Sequence, residues 1–284
     1  MSANKVAIVT AADSGIGKQS ALMLAERGFD IGITWHSDER GAQETAQKVE
    51  AFGRRAETIQ LDLSHLPEGA QAIETLIARF GRIDALVNNA GAMSKAPFLD
   101  LTFEDWRSIF TVDVDGAFLC SQIAARHMVQ QGQGGRIVNI TSVHEHTPLP
   151  EATAYTAAKH ALGGLTKSMA LELVPHNILV NAVAPGAIAT PMNNMSDDDA
   201  KPGSMPNIPL ARPGTTRRSP AWSPGSAPMM PATPPASRLS SMAALCWRTR
   251  SSNRKKLSYR PDSLHAFSCG GETTTAGRRP AQWR

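Results

Sequence analysis

The stretch Val6-Ala7-Ile8-Val9-Thr10-Ala11-Ala12-Asp13-Ser14-Gly15-Ile16-Gly17 decides the fold. Val6 to Thr10 is a short apolar run of the kind that forms a buried strand of a parallel sheet. From Lys18 to Arg27 the apolar positions Ala21, Leu22, Leu24 and Ala25 predict a helix, with Gly28 as its stop. Strand, glycine-containing turn and helix is the layout that holds a dinucleotide. Glycine lets the backbone approach a pyrophosphate, and the N–H groups at the helix start favour its negative charge. The spacing differs from Gly-x-Gly-x-x-Gly, so the turn alone does not establish such a site.

Further along the chain stand Thr141-Ser142-Val143 and Ala154-Tyr155-Thr156-Ala157-Ala158-Lys159. Tyr155 and Lys159, four apart, share one face of a helix. A lysine ammonium there favours the phenolate. Bringing a phenol from about 10 to about 7 takes roughly 4 kcal/mol, which one close cation and a second positive group can supply. The product is a general acid or base at neutral pH, with the Ser142 hydroxyl placed to orient a carbonyl oxygen beside it. Tyr-x-x-x-Lys alone is a common pattern on helix surfaces; its weight here comes from the N-terminal turn.

Together these residues resemble the short-chain dehydrogenase/reductase family, whose first turn reads Thr-Gly-x-x-x-Gly-Ile-Gly and whose reactive centre joins a serine to Tyr-x-x-x-Lys. Three more pieces match in order. Asp62-Leu63 follows Ala56 to Leu61, Asn88-Asn89-Ala90-Gly91 follows Ile83 to Val87, and Pro185-Gly186 follows Ile178 to Val183. The resemblance covers about residues 4–214, and is nearest to bacterial reductases of small carbonyl compounds. It implies one Rossmann-like α/β domain over residues 1–214, a doubly wound parallel sheet with helices on both faces. It implies hydride transfer between a nicotinamide cofactor and a small carbonyl or alcohol. In that chemistry Tyr155 is the proton donor, Lys159 lowers its pKa and holds the nicotinamide ribose, and Ser142 bonds the substrate oxygen. Cofactor contacts are implied for Thr10, Ser14, Gly15, Ile16 and Gly17, for Asp62 and Leu63, and for Asn89, Ala90 and Gly91. Tyr155, Lys159, Pro185, Gly186, Ile188 and Thr190 complete that set. The family also implies a homo-oligomer.

Two departures stand out. The family's first glycine is Ala11 here, and a positive φ at an alanine is disfavoured. The family's catalytic asparagine in Asn-Val-x-Gly is Asp113 here, in Asp113-Val114-Asp115-Gly116. A backbone role survives that change; a side-chain role does not survive unaltered, because Asp lacks the amide donors. Cofactor choice is read at the end of the second strand, Trp35-His36-Ser37. Relatives that prefer NAD place an acid near Trp35, and none stands there. His36 and Ser37 can donate to a 2′-phosphate, with Lys18 or Arg40 adding charge, so NADP(H) is favoured over NAD(H). After Ser142 comes Val143-His144-Glu145-His146, on a loop bordering the expected pocket. His144 is a candidate substrate contact beside Ser142 and Tyr155. The pair His144 and His146 lacks a third ligand nearby in sequence, so no metal is expected. Met93, Val143, Leu149, Ile188 and Met192 are expected to supply apolar wall.

The 284 residues suffice for one large α/β domain. No membrane-length apolar run and no secretory leader is evident, and Cys120, Cys246 and Cys269 lack metal spacing, so a cytoplasmic protein without structural disulfides is expected. The net charge of +4 hides a split. From residue 213 on, ten arginines and two lysines face only Asp262 and Glu272, leaving a surplus of acids in the remainder. That segment also holds nine of the 19 prolines and shows no strand or helix period. Residues 215–284 are therefore expected to form a disordered basic tail. The helix and seventh strand of relatives do not follow Gly214, which points to a reading-frame change near that codon and to a weakened oligomer. A different reading makes the chain a nucleic-acid binder through Arg217-Arg218, Arg254-Lys255-Lys256 and Arg278-Arg279; without a recognised binding motif this partner is not expected. Within the enzyme reading, 3-oxoacyl carrier-protein reductases share every motif named and are the alternative.

Overall fold

In the computed structural model residues 4–206, 208 and 210–218 are described. The chain runs β1 (Val6–Val9), α1 (Gly15–Glu26), β2 (Asp30–Trp35), α2 (Glu39–Glu50), β3 (Ala56–Gln60), α3 (Gln71–Phe80) and β4 (Ala85–Asn88). It continues through α4 (Phe103–Phe110), α5 (Ala117–Gln131), β5 (Gly135–Ile140), α6 (Thr153–Leu173) and β6 (Ile178–Val183). The sheet order is β3-β2-β1-β4-β5-β6, and every pairing is parallel. This is the doubly wound sheet that the strand-helix alternation predicts. Val9 lies opposite Ile33 on one side and Val87 on the other. The chain leaves β1 in one direction along the sheet and, after β3, resumes on its other side at β4. A ligand crevice therefore opens beyond the carboxyl ends of β1 and β4.

Both faces of the sheet are covered, as parallel strands require. On one side Ile8, Leu86 and Ile137 pack with Ile73 and Leu76 of α3 and Cys120 and Met128 of α5. On the other, Val9, Ile31 and Ile33 pack with Ala21 and Leu24 of α1 and Ala42 and Val49 of α2. Each such aliphatic side chain contributes roughly 1.5–3 kcal/mol when fully buried. A smaller cluster of Ile109, Ala154 and Ala158, backed by Trp106 and Phe110, joins α4 to α6. It holds the start of α6 against the rest of the domain.

Helix α1 begins at Gly15 rather than at the expected Lys18. The N–H groups of a first turn have no intrahelical acceptor, so poor helix formers such as Gly15 and Gly17 are tolerated there. After β6, Ile188 and Gly214 form an isolated parallel bridge, with Ala189 N–H donating to Gly214 O at 2.9 Å. A short 3-10 turn, Thr216–Arg218, follows, and Thr216 N–H reaches Asp197 Oδ1 at 3.2 Å. Among the described residues the sheet has six strands and no seventh. The rest of the expected basic tail, with Cys246 and Cys269, lies outside the described residues. Cys120 is a free, buried thiol whose pKa burial pushes up to about 12. No described helix is long and apolar enough to cross a membrane.

Candidate active site

The glycine turn and the β4 turn are stitched together at the head of the crevice. Thr10 Oγ1 accepts from the N–H groups of Asn89 and Ala90, both at 2.8 Å. The Asn89 amide donates to the carbonyls of Thr10 and Ala11, both at 3.0 Å. Gly17 faces this knot. A methyl there would run into the Ala11 carbonyl and the Asn89 amide, so only glycine lets α1 start so close to the strand ends. Gly15 has φ +54°, and a methyl on it would sit 3.5 Å from Thr190 Cγ2, which places Thr190 across the turn. Ser14 is the extended N-cap of α1, but its hydroxyl donates to Asp13 Oδ2 at 3.2 Å instead of capping the helix. The first-turn N–H groups of α1 are thus left without a side-chain cap, as a pyrophosphate site requires. Ala11 does adopt the disfavoured conformation, with φ 48°.

The sequence-predicted reactive residues meet at the ends of β5 and α6. Tyr155 and Lys159 occupy the buried face of α6; Tyr155 is 9% exposed and Lys159 4%. The Lys159 ammonium stands 5.4 Å from the Tyr155 ring centroid and donates to Ile140 O at 3.2 Å. It also meets Asp113 Oδ2 at 2.9 Å. Asp113 is wholly buried on a π-helical turn, Thr111–Gly116, inserted between α4 and α5. Such turns carry one extra residue in the helical path and often mark functional sites. Burial pushes the Asp113 carboxyl above the usual carboxylate range, against the opposing pull of Lys159 and of the Ala92 N–H. Ser142, at the end of β5, accepts from His144 N–H at 3.2 Å. The His144 ring stands edge-on to Tyr155 at 6.3 Å, and its Nδ1 lies 2.8 Å from Thr147 O. Val143 N–H donates to Pro185 O at 3.0 Å, and a methyl on Gly186 would contact Val143 Cγ1 at 3.8 Å. The Ser142 loop and the Pro185-Gly186 segment therefore border one space.

At the far end of the crevice three of the four expected phosphate partners, His36, Lys18 and Arg40, already have acidic partners. His36 is 67% exposed at its side chain and leans toward Asp62, with Nε2 3.6 Å from Oδ1. Asp62 accepts from Ser64 Oγ at 2.6 Å and Ser64 N–H at 2.9 Å, and His65 Nδ1 lies 2.9 Å away. The Ser64 bonds, then His65, hold its carboxyl at about 2. Lys18 and Arg40 both reach Glu44, at 3.5 and 3.4 Å. Ser37 is exposed, and the Leu63 side chain packs in the core. Two acids that the sequence leaves outside the site lie here as well: Asp13, and Asp38, which comes slightly late after Trp35. The glycine turn is tied to the end of β2 by Ala11 N–H to Thr34 Oγ1 at 3.2 Å and Ala12 N–H to Thr34 O at 2.8 Å. This brings Asp13 toward Asp38, which caps α2 by accepting from Gly41 N–H at 2.9 Å. Burial raises the Asp13 pKa and the charge of Asp38 raises it further, against hydrogen bonds and Lys18 that lower it. The glycine cradle, the uncapped start of α1 and the β4 turn fit a dinucleotide.

A buried polar chain behind the site also escaped the sequence reading. Asn88 donates to Ser121 Oγ and Asn139 Oδ1, and Asn139 donates to Thr166 Oγ1, each at 2.8 Å. It fastens β4, β5, α5 and α6 to one another. The signal for it is present: Asn139 interrupts the apolar run Ile137-Val138-Asn139-Ile140, and a buried amide needs partners.

The sequence pattern of the family described as short chain dehydrogenase matches residues 5–201. The chain is 76% identical over 208 residues to the uncharacterized oxidoreductase YohF of Escherichia coli K12, covering 73% of this chain and 82% of that protein. Among solved structures it is similar to an acetoin dehydrogenase from Enterobacter cloacae. There the identity is 80% and the TM-score 0.74, over 77% of this chain and 86% of the other. It is also similar to acetoin dehydrogenase YohF from Salmonella typhimurium, at 77% identity and TM-score 0.73, over 76% and 85% of the two chains.

Proposed function

From the premise that the chain belongs to the short-chain dehydrogenase family of oxidoreductases, we propose that its substrate is a small hydroxy ketone or diketone of acetoin size. The substrate class follows the acetoin dehydrogenases among its relatives. The observation that carries the chemistry is Tyr155 on the buried face of α6 with the Lys159 ammonium 5.4 Å from its ring. A nicotinamide, when bound, supplies or accepts the hydride. Tyr155 gives its proton to the substrate oxygen during reduction and recovers one from it during oxidation. Lys159 favours the phenolate that proton transfer leaves behind. Ser142 Oγ accepts from His144 N–H, so its own O–H remains to donate to the same substrate oxygen. His144, edge-on to Tyr155, is assigned to the substrate. Pro185, Gly186, Ile188 and Thr190 are assigned to the cofactor, as are Asn89, Ala90 and Gly91.

The sequence favours NADP(H), because no acid stands at Trp35. A second reading, NAD(H), has specific geometry in its favour. Asp13 and Asp38 add negative charge beside the end of β2, and the cations Lys18 and Arg40 are drawn to Glu44. A 2′-phosphate would meet that charge, whereas ribose hydroxyls would find acceptors. On this balance NAD(H) is the better-supported cofactor. The deciding experiment titrates NADH and NADPH onto the protein by fluorescence and follows their oxidation with acetoin, diacetyl and an acetoacetyl thioester. Turnover of the diketone or hydroxy ketone with tighter NADH binding is expected. Turnover of the thioester alone would replace this function with that of a 3-oxoacyl carrier-protein reductase, and tighter NADPH binding would restore the sequence-based cofactor.

A further inference from the structure

The chemistry above uses Lys159 as a cation beside Tyr155 and gives no role to the carboxylate that Lys159 touches. Asp113 Oδ1 accepts from Ala92 N–H at 2.6 Å, and Oδ2 meets the ammonium at 2.9 Å. A methyl on Gly91 would lie 3.4 Å from both carboxylate oxygens and from Lys159 Nζ, so the pair is roofed by the backbone of the β4 turn. The side chains are 0% and 5% exposed. Water screens little of this interaction, and the ammonium opposes the burial that raises the Asp113 pKa, favouring the ionised pair.

We propose that Asp113 is a charge-tuning residue that offsets the Lys159 cation and so keeps Tyr155 in its protonated, proton-donating form to higher pH than lysine alone would allow. The proposal rests on the assignment of Tyr155 as the acid–base group. A lone ammonium stabilises a phenolate by its full charge. An ammonium paired with a carboxylate presents a dipole, whose field falls away faster with distance. Carbonyl reduction needs the phenol and alcohol oxidation needs the phenolate. The pair therefore extends reduction to higher pH and delays the onset of oxidation.

Among the described residues, few other ionisable groups surround the phenol. Helix α6 contributes Tyr155 and Lys159, while its His160 is exposed and bonded to Thr156 O. The loop after β5 contributes His144, edge-on to the ring, and Glu145, whose carboxylate lies against Gly163. The π turn carries Asp115 as well as Asp113. The β4 turn brings the amides of Asn88 and Asn89, with the exposed Lys95 beyond it. Of these, Asp113 is the group in ion-pair contact with Lys159.

The chain has two tyrosines, Tyr155 and Tyr259. In a Tyr259→Phe background, the phenolate absorbance of the intact protein titrates Tyr155 alone, without cofactor or substrate. Asp113→Asn keeps the size and an acceptor for Ala92 while removing the charge. It should lower the midpoint by about one to two pH units. The pH profiles of diacetyl reduction and acetoin oxidation should move down with it. Asp113→Ser, smaller and neutral, should act in the same direction. An unmoved or raised midpoint in a folded neutral variant overturns the proposal. A lowered midpoint without turnover of any ketone supports the pairing and refutes instead the function proposed above.

Discussion

Replacing Ala11 with glycine should stabilise this protein, although glycine ordinarily destabilises an ordered segment. Ala11 is held at φ 48° by contacts on both of its peptide groups. Its N–H donates to Thr34 Oγ1 at 3.2 Å, and its carbonyl accepts from the Asn89 amide at 3.0 Å. That carbonyl also abuts Gly17. The left-handed conformation costs an L-residue roughly 1–2 kcal/mol, and glycine adopts it freely. Against this, glycine adds unfolded-state entropy worth about 0.4–1 kcal/mol. The difference leaves a net stabilisation of about 0.5–1 kcal/mol, or a rise in Tm of roughly 1–4 °C for a domain of this size. Urea unfolding of the parent and Ala11→Gly proteins measures it as a shift in midpoint at constant slope. Ala11→Val is the control: a β-branched side chain at the same φ should lower the midpoint. A loss of about 0.5–1 kcal/mol on Ala11→Gly, the ordinary penalty for glycine, would refute the strained turn.

Other perturbations test the rest of the site. Tyr155→Phe keeps the ring and removes the proton donor; diacetyl reduction should fall by about 10²–10⁴-fold while NADH binding, followed by fluorescence, stays near that of the parent. Gly17→Ala drives a methyl into the Ala11 carbonyl. It should cost about 1–3 kcal/mol of stability and weaken nucleotide binding more than tenfold in an equilibrium titration. Asp13→Asn, in the ribose corner, should strengthen NADPH binding with little effect on NADH; an equal change in both dissociation constants would exclude electrostatic selection there. Asp62 has a depressed pKa, held at about 2 by Ser64 and then His65. Its stabilising contribution is therefore complete above about 3.9, the ordinary aspartate value, and is lost as pH falls through about 2. Asp62→Asn should flatten the stability profile across that acid window, and an unchanged profile would show that the Ser64 and His65 contacts do not hold in solution.

What the sequence could reveal was set by how local each interaction is. The strands were readable because burial on both faces demands unbroken apolar runs such as Val6 to Val9. Tyr155 and Lys159 were readable as a pair because one helical turn joins them. The start of α1 was not, because a first helical turn tolerates glycines that propensity rules reject. Asp13 and Asp38 belong to different strand-to-helix turns, and only the hydrogen bonds from Ala11 and Ala12 to Thr34 bring those turns together. His36, a phosphate donor by sequence alone, has Asp62 as its partner, which reaches it only through the parallel register of β2 and β3.

Asp113 shows the same limit from the other direction. Its place in Asp-Val-x-Gly was legible, and so was the loss of an amide donor relative to the family's asparagine. Its partner was not, because the π turn that aims the carboxylate at Lys159 has no sequence period of its own. An asparagine on that turn could accept from Ala92 N–H and leave the lysine charge whole. An aspartate accepts the same bond and also balances the charge. Two readings of one position thus predict opposite electrostatics at the neighbouring phenol, although they preserve the same backbone path. Alignment of motifs identifies which residues gather at the crevice, but the charge that faces Tyr155 comes from a pairing that only the assembled α6, β4 turn and π turn create. The tyrosine titration, which needs neither cofactor nor substrate, measures that pairing directly.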